Sequence, residues 1–176
     1  MSDMARPGPG TGGEQILSTN TILNALKDMT SEAKKKRLIQ WAEIRYFVPS
    51  EFDSPDMPGS GIMMNLEFVR ILDKIRNEYG RPMIIRPPSG SGYRTPAHNK
   101  KVGGKANSAH TKAVAVDTVC MDPAARFDLV GLCFKYGIKR IGIAENFIHL
   151  DMDFTLPQNV LWPYPKKATA NSQKEA

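Results

Sequence analysis

The sequence holds only two cysteines, three histidines and two tryptophans in 176 residues, and it has no long apolar run. Each shortage excludes something. Cys120 and Cys133 are too few for a disulfide scaffold, and both lie in apolar stretches, so they read as buried free thiols. A metal site built from thiolates would need more of them. No stretch approaches the roughly 18–20 apolar residues that span a bilayer. The opening Met1-Ser2-Asp3-Met4-Ala5-Arg6-Pro7-Gly8 lacks the basic-then-apolar pattern of a secretory signal, which points to a soluble chain made in the cytoplasm. Repeats and coiled-coil bias are also missing. What is present is a 41% hydrophobic share, too high for a disordered chain and enough for one domain with one core. The net charge of +6 would suit nucleic acid or an anionic wall polymer. However, much of it sits in Lys34-Lys35-Lys36-Arg37 and Lys166-Lys167, runs that read as solvated faces. Aromatic and basic residues do not interleave, which speaks against nucleic acid. Trp41 and Trp162 stand in separate apolar contexts and read as packing.

Residues 1–14 are rich in Gly and Pro with almost no apolar content, the composition of a disordered segment. Ile22, Leu23 and Leu26 give a helical piece over 16–29, and Ser31-Glu32 opens a second one carrying Leu38, Trp41 and Ile44. Segment 47–59 holds three prolines with Ser and Asp residues, so it reads as turns and caps rather than a long element. Leu66, Val69, Leu72, Ile75 and Tyr79 recur at helical spacing before a Gly80 stop. Strands are predicted at 82–85 and 113–120. Asp122-Pro123 is a good helix start, with Phe127, Leu129, Val130, Leu132, Cys133 and Phe134 as a broad apolar face and Gly137 as its end. Strands over 140–144 and 147–153 flank Glu145-Asn146 as a hairpin. The fold class is α+β, a small antiparallel sheet with flanking helices.

Two of the three histidines stand near carboxylates. His110 lies in a polar loop, seven residues before Asp117 on a strand. On a strand over 147–153, His149, Asp151 and Asp153 share one face and Ile148, Leu150 and Met152 the other. Two imidazoles and one carboxylate are the three-ligand set of a catalytic zinc. On spacing alone, His110 reads equally as a loop residue and His149 as a hydrogen-bonded surface histidine.

The order of blocks adds context. Ser91-Gly92-Tyr93-Arg94-Thr95-Pro96-Ala97-His98-Asn99 and Val102-Gly103-Gly104 precede Ser108-Ala109-His110 and Asp117, and Phe147-Ile148-His149-Leu150-Asp151 follows. In this order they resemble the zinc D-alanyl-D-alanine carboxypeptidase and L-alanyl-D-glutamate endopeptidase family, with its hedgehog/DD-peptidase fold, and most of all its small bacteriophage versions. The resemblance runs from about Phe47 to Trp162, so a zinc peptidase domain is expected over 47–164, with a helical extension before it over 15–46 and a flexible tail over 165–176. It implies His110, Asp117 and His149 as zinc ligands and Arg94 as the substrate-holding arginine. A guanidinium suits that task because it clamps carboxylates bidentately. Ser108 could bond the substrate or fix its loop, Tyr93 reads as packing, and His98 falls on a variable position.

The chain departs from the pattern in three places. Asn146 stands where many members carry the carboxylate that acts as general base, and an amide cannot take that proton. Glu145 and Asp151 are the catalytic candidates in its stead, with Asp151 alternatively orienting a ligand. Ala113 replaces a usual glycine, where left-handed backbone would cost about 1 kcal/mol. Arg86-Pro87-Pro88-Ser89-Gly90 lengthens the link into the arginine motif. The expected function is zinc-dependent hydrolysis of a peptidoglycan peptide bond, by a phage lysis or infection protein acting at the bacterial wall or travelling with the virion. The rival reading is a zinc-stabilised wall-binding domain without catalysis.

Overall fold

The computed structural model describes residues 31–86 and 89–165. The helix expected over 16–29, the disorder expected over 1–14 and all but residue 165 of the flexible tail expected over 165–176 lie outside the described residues. The first helix, α1 (Ser31–Trp41), is built from good helix formers, and its lysines Lys34, Lys35 and Lys36 are exposed as expected. Arg37 departs from that solvated run. It is half-buried, and its guanidinium donates to the carbonyls of Ile62 at 3.0 Å and Met64 at 2.6 Å, serving acceptors that a short 3-10 turn (Ser60–Met63) leaves open. Trp41 and Ile44 join the core, but Leu38 is 53% exposed.

Segment 47–59 makes turns, as its prolines require. A 3-10 turn over Pro49–Phe52 is capped by Glu51, whose carboxylate accepts from the Val48 amide at 2.9 Å. Asp53 accepts from the amides of Gly59 and Gly61. Helix α2 (Leu66–Tyr79) starts at Asn65, whose side chain accepts from the Phe68 amide, and stops at left-handed Gly80. Its buried stripe is Leu66, Phe68, Val69, Leu72 and Ile75, close to the predicted face. After β1 (Ile84–Ile85) comes a short helix, α3 (Pro96–Lys101), capped by Thr95. Then follow a 3-10 turn (Ala109–Lys112), β2 (Ala115–Val119) and α4 (Pro123–Lys135). Asp122 caps α4 through the Ala125 amide at 2.7 Å. Of the broad apolar face expected of α4, Leu129 and Cys133 are buried together with Ala125, and Val130 and Leu132 pack half-buried against the core, while Phe127 and Phe134 are exposed.

Strands β3 (Arg140–Ile143), β4 (Phe147–Asp151) and β5 (Val160–Pro163) complete a five-stranded sheet in the order β1-β2-β4-β3-β5. The hairpin of β3 and β4 is antiparallel as its short connection demands, and so are the pairs β1–β2 and β2–β4. The sheet is nevertheless mixed rather than wholly antiparallel. β5, too short for its alternation to stand out in the sequence, runs parallel to β3 because the chain leaves β4, turns through 152–159 and returns along the far side of β3. An edge strand of four residues ending in proline carries little pattern.

Register decides what each face holds. Val116, Ile141, Ile148 and Leu150 belong to the same hydrophobic cluster as Leu72, Ile75, Leu129 and Cys133 of α2 and α4. Asp117, His149, Asp151, Arg140 and Trp162 fall on the opposite face.

Candidate metal centre

The register pairs Asp117 directly with His149 across β2 and β4. His110 arrives from the 3-10 turn Ala109–Lys112, which ends at Ala113 in left-handed backbone, φ 59° and ψ 29°. The alanine thus takes the conformation a glycine would take more cheaply, and the turn is tied down by the Asn65 amide, which donates to the Ala113 carbonyl at 2.9 Å. The Ser91–Arg94 stretch is laced between both parts: the Asp117 amide donates to Ser91 and the Arg94 amide to the His110 carbonyl.

The three side chains converge. His110 Nε2 lies 3.2 Å from His149 Nδ1 and 3.3 Å from Asp117 Oδ1, and His149 Nδ1 lies 2.8 Å from that same oxygen. All three are buried. The outer ring nitrogens fix the chemistry of the inner ones. His110 Nδ1 faces the Gly92 carbonyl at 2.7 Å and His149 Nε2 faces Asp151 Oδ2 at 3.0 Å, so each must be an N–H donor. That leaves lone pairs on His110 Nε2 and His149 Nδ1, aimed at a carboxylate oxygen. Three acceptors this close need a proton or a cation among them, and the N, N, O donor set suits a divalent transition metal. The outer partners match the usual support of metal-binding imidazoles.

Electrostatics point the same way. Burial works against ionised Asp117, but His110 and His149 hold its carboxyl well below the usual range. Burial lowers His110, with Arg94 and His149 adding to it. Burial also works against charged His149, yet the hydrogen bonds it makes to Asp117 and Asp151 raise it overall. Each aspartate has its own cation: Arg94 on Asp117 at 2.5 Å, Arg140 on Asp151 at 2.8 Å and Lys112 on Asp153 at 2.6 Å.

Of the residues named from the sequence, His110, Asp117 and His149 come together, with Arg94 and Asp151 against them. Asp151 is spoken for on both oxygens, Oδ2 by His149 and Oδ1 by Arg140 and the Asp153 amide. Glu145 is exposed on the β3–β4 turn, where its backbone carbonyl accepts from Arg126. Four residues at about 3.3 Å each put it up to about 13 Å from His149 along the chain. Ser108 is half-buried at the N-cap of the 3-10 turn, without a side-chain cap bond. Tyr93 is fully buried and His98 sits on α3.

The residues 45–151 match the Peptidase M15 family model. The chain belongs to the Peptidase M15 family. This is the family that the order of the sequence motifs resembled, and it makes the protein a hydrolase of peptide bonds. Comparison with curated proteins and with solved structures gives no match. Within this M15 chain, no helix among the described residues is long and apolar enough to cross a membrane.

Sequence reasoning missed three neighbours of the site. Arg140 holds Asp151 and lies 5.4 Å from the centre of the Trp162 ring. Trp162, read as packing, has its ring centre 5.6 Å from that of His149, and Tyr164 lies at 6.4 Å. Burial, with the Asp117 carboxylate adding to it, pushes the Tyr164 phenol up to about 12, so it stays a neutral hydroxyl. The alternation Val160, Trp162, Tyr164 was the available signal, and it was too short to stand out.

Proposed function

We propose that this chain is a zinc-dependent metallopeptidase that hydrolyses a peptide bond in bacterial peptidoglycan, of the D-alanyl-D-alanine carboxypeptidase or L-alanyl-D-glutamate endopeptidase type, serving phage lysis or infection. The observation that carries the reading is the convergence of His110 Nε2, Asp117 Oδ1 and His149 Nδ1, all within 4.8 Å of one another and all presenting lone pairs. Bound there, zinc would supply a Lewis acid that activates water and polarises the peptide carbonyl.

The chain's own residues supply the rest. Gly92 and Asp151 lock the two imidazoles in the tautomers that ligation needs. Arg94 holds Asp117 through Nη2 and the Gly90 carbonyl through Nε. Its guanidinium has five N–H donors, and those left over can take a substrate carboxylate or carbonyl. The Ser108 hydroxyl, two residues before His110 and not used for capping, is left to bond the substrate. We assign Asp151 to orienting His149 rather than to proton transfer.

A second reading, a zinc-stabilised virion or wall-binding domain without catalysis, draws on one observation. Asn146 replaces the usual carboxylate, and Glu145 lies on the exposed turn rather than beside the ligands. A mass-spectrometric digest of purified peptidoglycan separates the two, run with zinc, with chelator and with His149→Ala. Zinc-dependent new amine and carboxyl ends establish the peptidase and name the bond. A wall left intact by protein that holds zinc favours the binding domain.

A further inference from the structure

Across the site face, Asp117, His149, Gly142 and Trp162 form one lateral row over four adjacent strands. The glycine in that row is required by its neighbours. A Cβ at Gly142 would lie 2.6 Å from the Tyr164 ring and 2.8 Å from the Trp162 indole. Without it, both rings lie over β3 and reach the imidazole of His149. Arg140 fixes Trp162 from one side, and Phe147 packs against Tyr164 at 5.3 Å between ring centres. Neither ring is enclosed: Trp162 is half-buried and Tyr164 is 38% exposed. Both lie beyond residue 151, past the part of the chain that matches the family. Arg94 stands on the opposite strand side of the ligands, against Asp117.

We propose that Trp162 and Tyr164 are specificity-determining residues, forming an aromatic wall on which the peptide residue beside the scissile bond seats a short aliphatic side chain while its charged end turns toward Arg94. This rests on the peptidase reading above and names the substrate contact of that same site. Aromatic faces stack on sugars as well as on peptides. Here the rings abut a ligand imidazole, so what touches them lies next to the reacting bond and not out along the glycan strand. Gly142 is a positioning residue, acting only through the two rings.

The test uses the full-length, zinc-loaded chain and the sugar-free stem pentapeptide ending in D-Ala-D-Ala, which carries both candidate bonds, with a peptide-free glycan oligomer for comparison. Trp41 lies in the core, so a saturable change in tryptophan emission that disappears in Trp162→Phe reports the wall. Trp162→Ala and Tyr164→Ala are each expected to weaken peptide binding and raise KM about tenfold, with kcat within about threefold. Zinc content and unfolding midpoint should hold, and Tyr164→Phe should restore the affinity. Gly142→Ala should reproduce the KM rise with every aromatic still present. Unchanged KM in both alanine variants overturns the wall and leaves the peptidase standing. Emission that follows the glycan oligomer and not the peptide overturns it in favour of a sugar platform. A wild-type chain that neither binds nor cleaves the peptide brings down the peptidase reading and the wall with it.

Discussion

Strand β4 is buried on both sides, but by two different kinds of neighbour. On one side Ile148 and Leu150 are fully enclosed with Leu72, Ile75, Leu129 and Cys133. On the other, His149 and Asp151 are almost as enclosed, by Asp117, His110, Arg140 and Trp162. The apolar side is held by area, which has no direction and tolerates small shifts. The polar side is held by pairs, and each pair fails outright when one member goes, because a buried charge or donor is left alone. The same strand thus carries stability on one face and chemistry on the other. Perturbing alternate residues should separate the two.

The sharpest separation comes from neighbours in sequence. His149→Ala should lower peptide-bond cleavage by at least about 10³-fold, beyond the 10–100-fold usual for groups that only support a metal ligand, while the fold survives. Leu150→Ala should do the reverse, costing about 2–5 kcal/mol of stability with zinc stoichiometry unchanged. Denaturant unfolding and metal analysis on both variants decide this. Equal loss of zinc in the two would erase the division between the faces.

Lys112→Met probes the polar side away from the ligands. It strands Asp153, which is fully buried and paired to Lys112 at 2.6 Å, and should cost about 3 kcal/mol. Burial opposes the charge on Asp153, but hydrogen bonds from Lys112 and Thr155 hold its carboxyl below the usual range. A folded value below the unfolded one means the contribution is present above the unfolded pKa, about 4, and is lost as pH falls through the folded value. In Lys112→Met, burial acts without the lysine, so the acid loss of stability should begin at higher pH. Circular dichroism against pH reads this, and an unmoved acid limb would show that the pair is not what anchors the 152–159 turn.

Asp151→Asn should weaken zinc binding about 10–100-fold, measured by competition with a chromogenic chelator, because the amide can present its N–H to His149 and lose both His149 and Arg140. Full zinc affinity in this variant would remove Asp151 from its orienting role. The smallest effect is expected at Glu145. Its carboxylate is exposed at up to about 13 Å along the chain from His149, so Glu145→Gln should leave kcat within about twofold. A large fall in kcat with KM unchanged would instead make it the proton acceptor.

Much of this was legible in the chain. Asp122 and Gly80 mark helix ends by rules that involve only a few neighbouring residues, and both act as expected. The alternation around His149 placed Ile148 and Leu150 inward because a strand has no other way to divide its side chains. Leu38, Phe127 and Phe134 were misjudged for the opposite reason. Helical spacing shows that a face is apolar, not that another element covers it, and all three are more than half exposed. Arg37 read as one more solvated charge because its carbonyl partners lie 25 and 27 residues further on.

By itself, then, the sequence determined the α+β class and the caps and stops, since these depend on residue type and short spacing, and the order of its motifs named His110, Asp117 and His149 as candidate ligands. The tertiary structure decided how those three side chains meet. His110 and His149 are 39 residues apart, and Asp117 and His149 are 32 apart. Only the pairing of β2 with β4 sets them within 3.3 Å, and only the parallel return of β5 beside β3 brings Trp162 and Tyr164 to the same place. Strand register is a cooperative outcome of the whole sheet and core. No local pattern carries it.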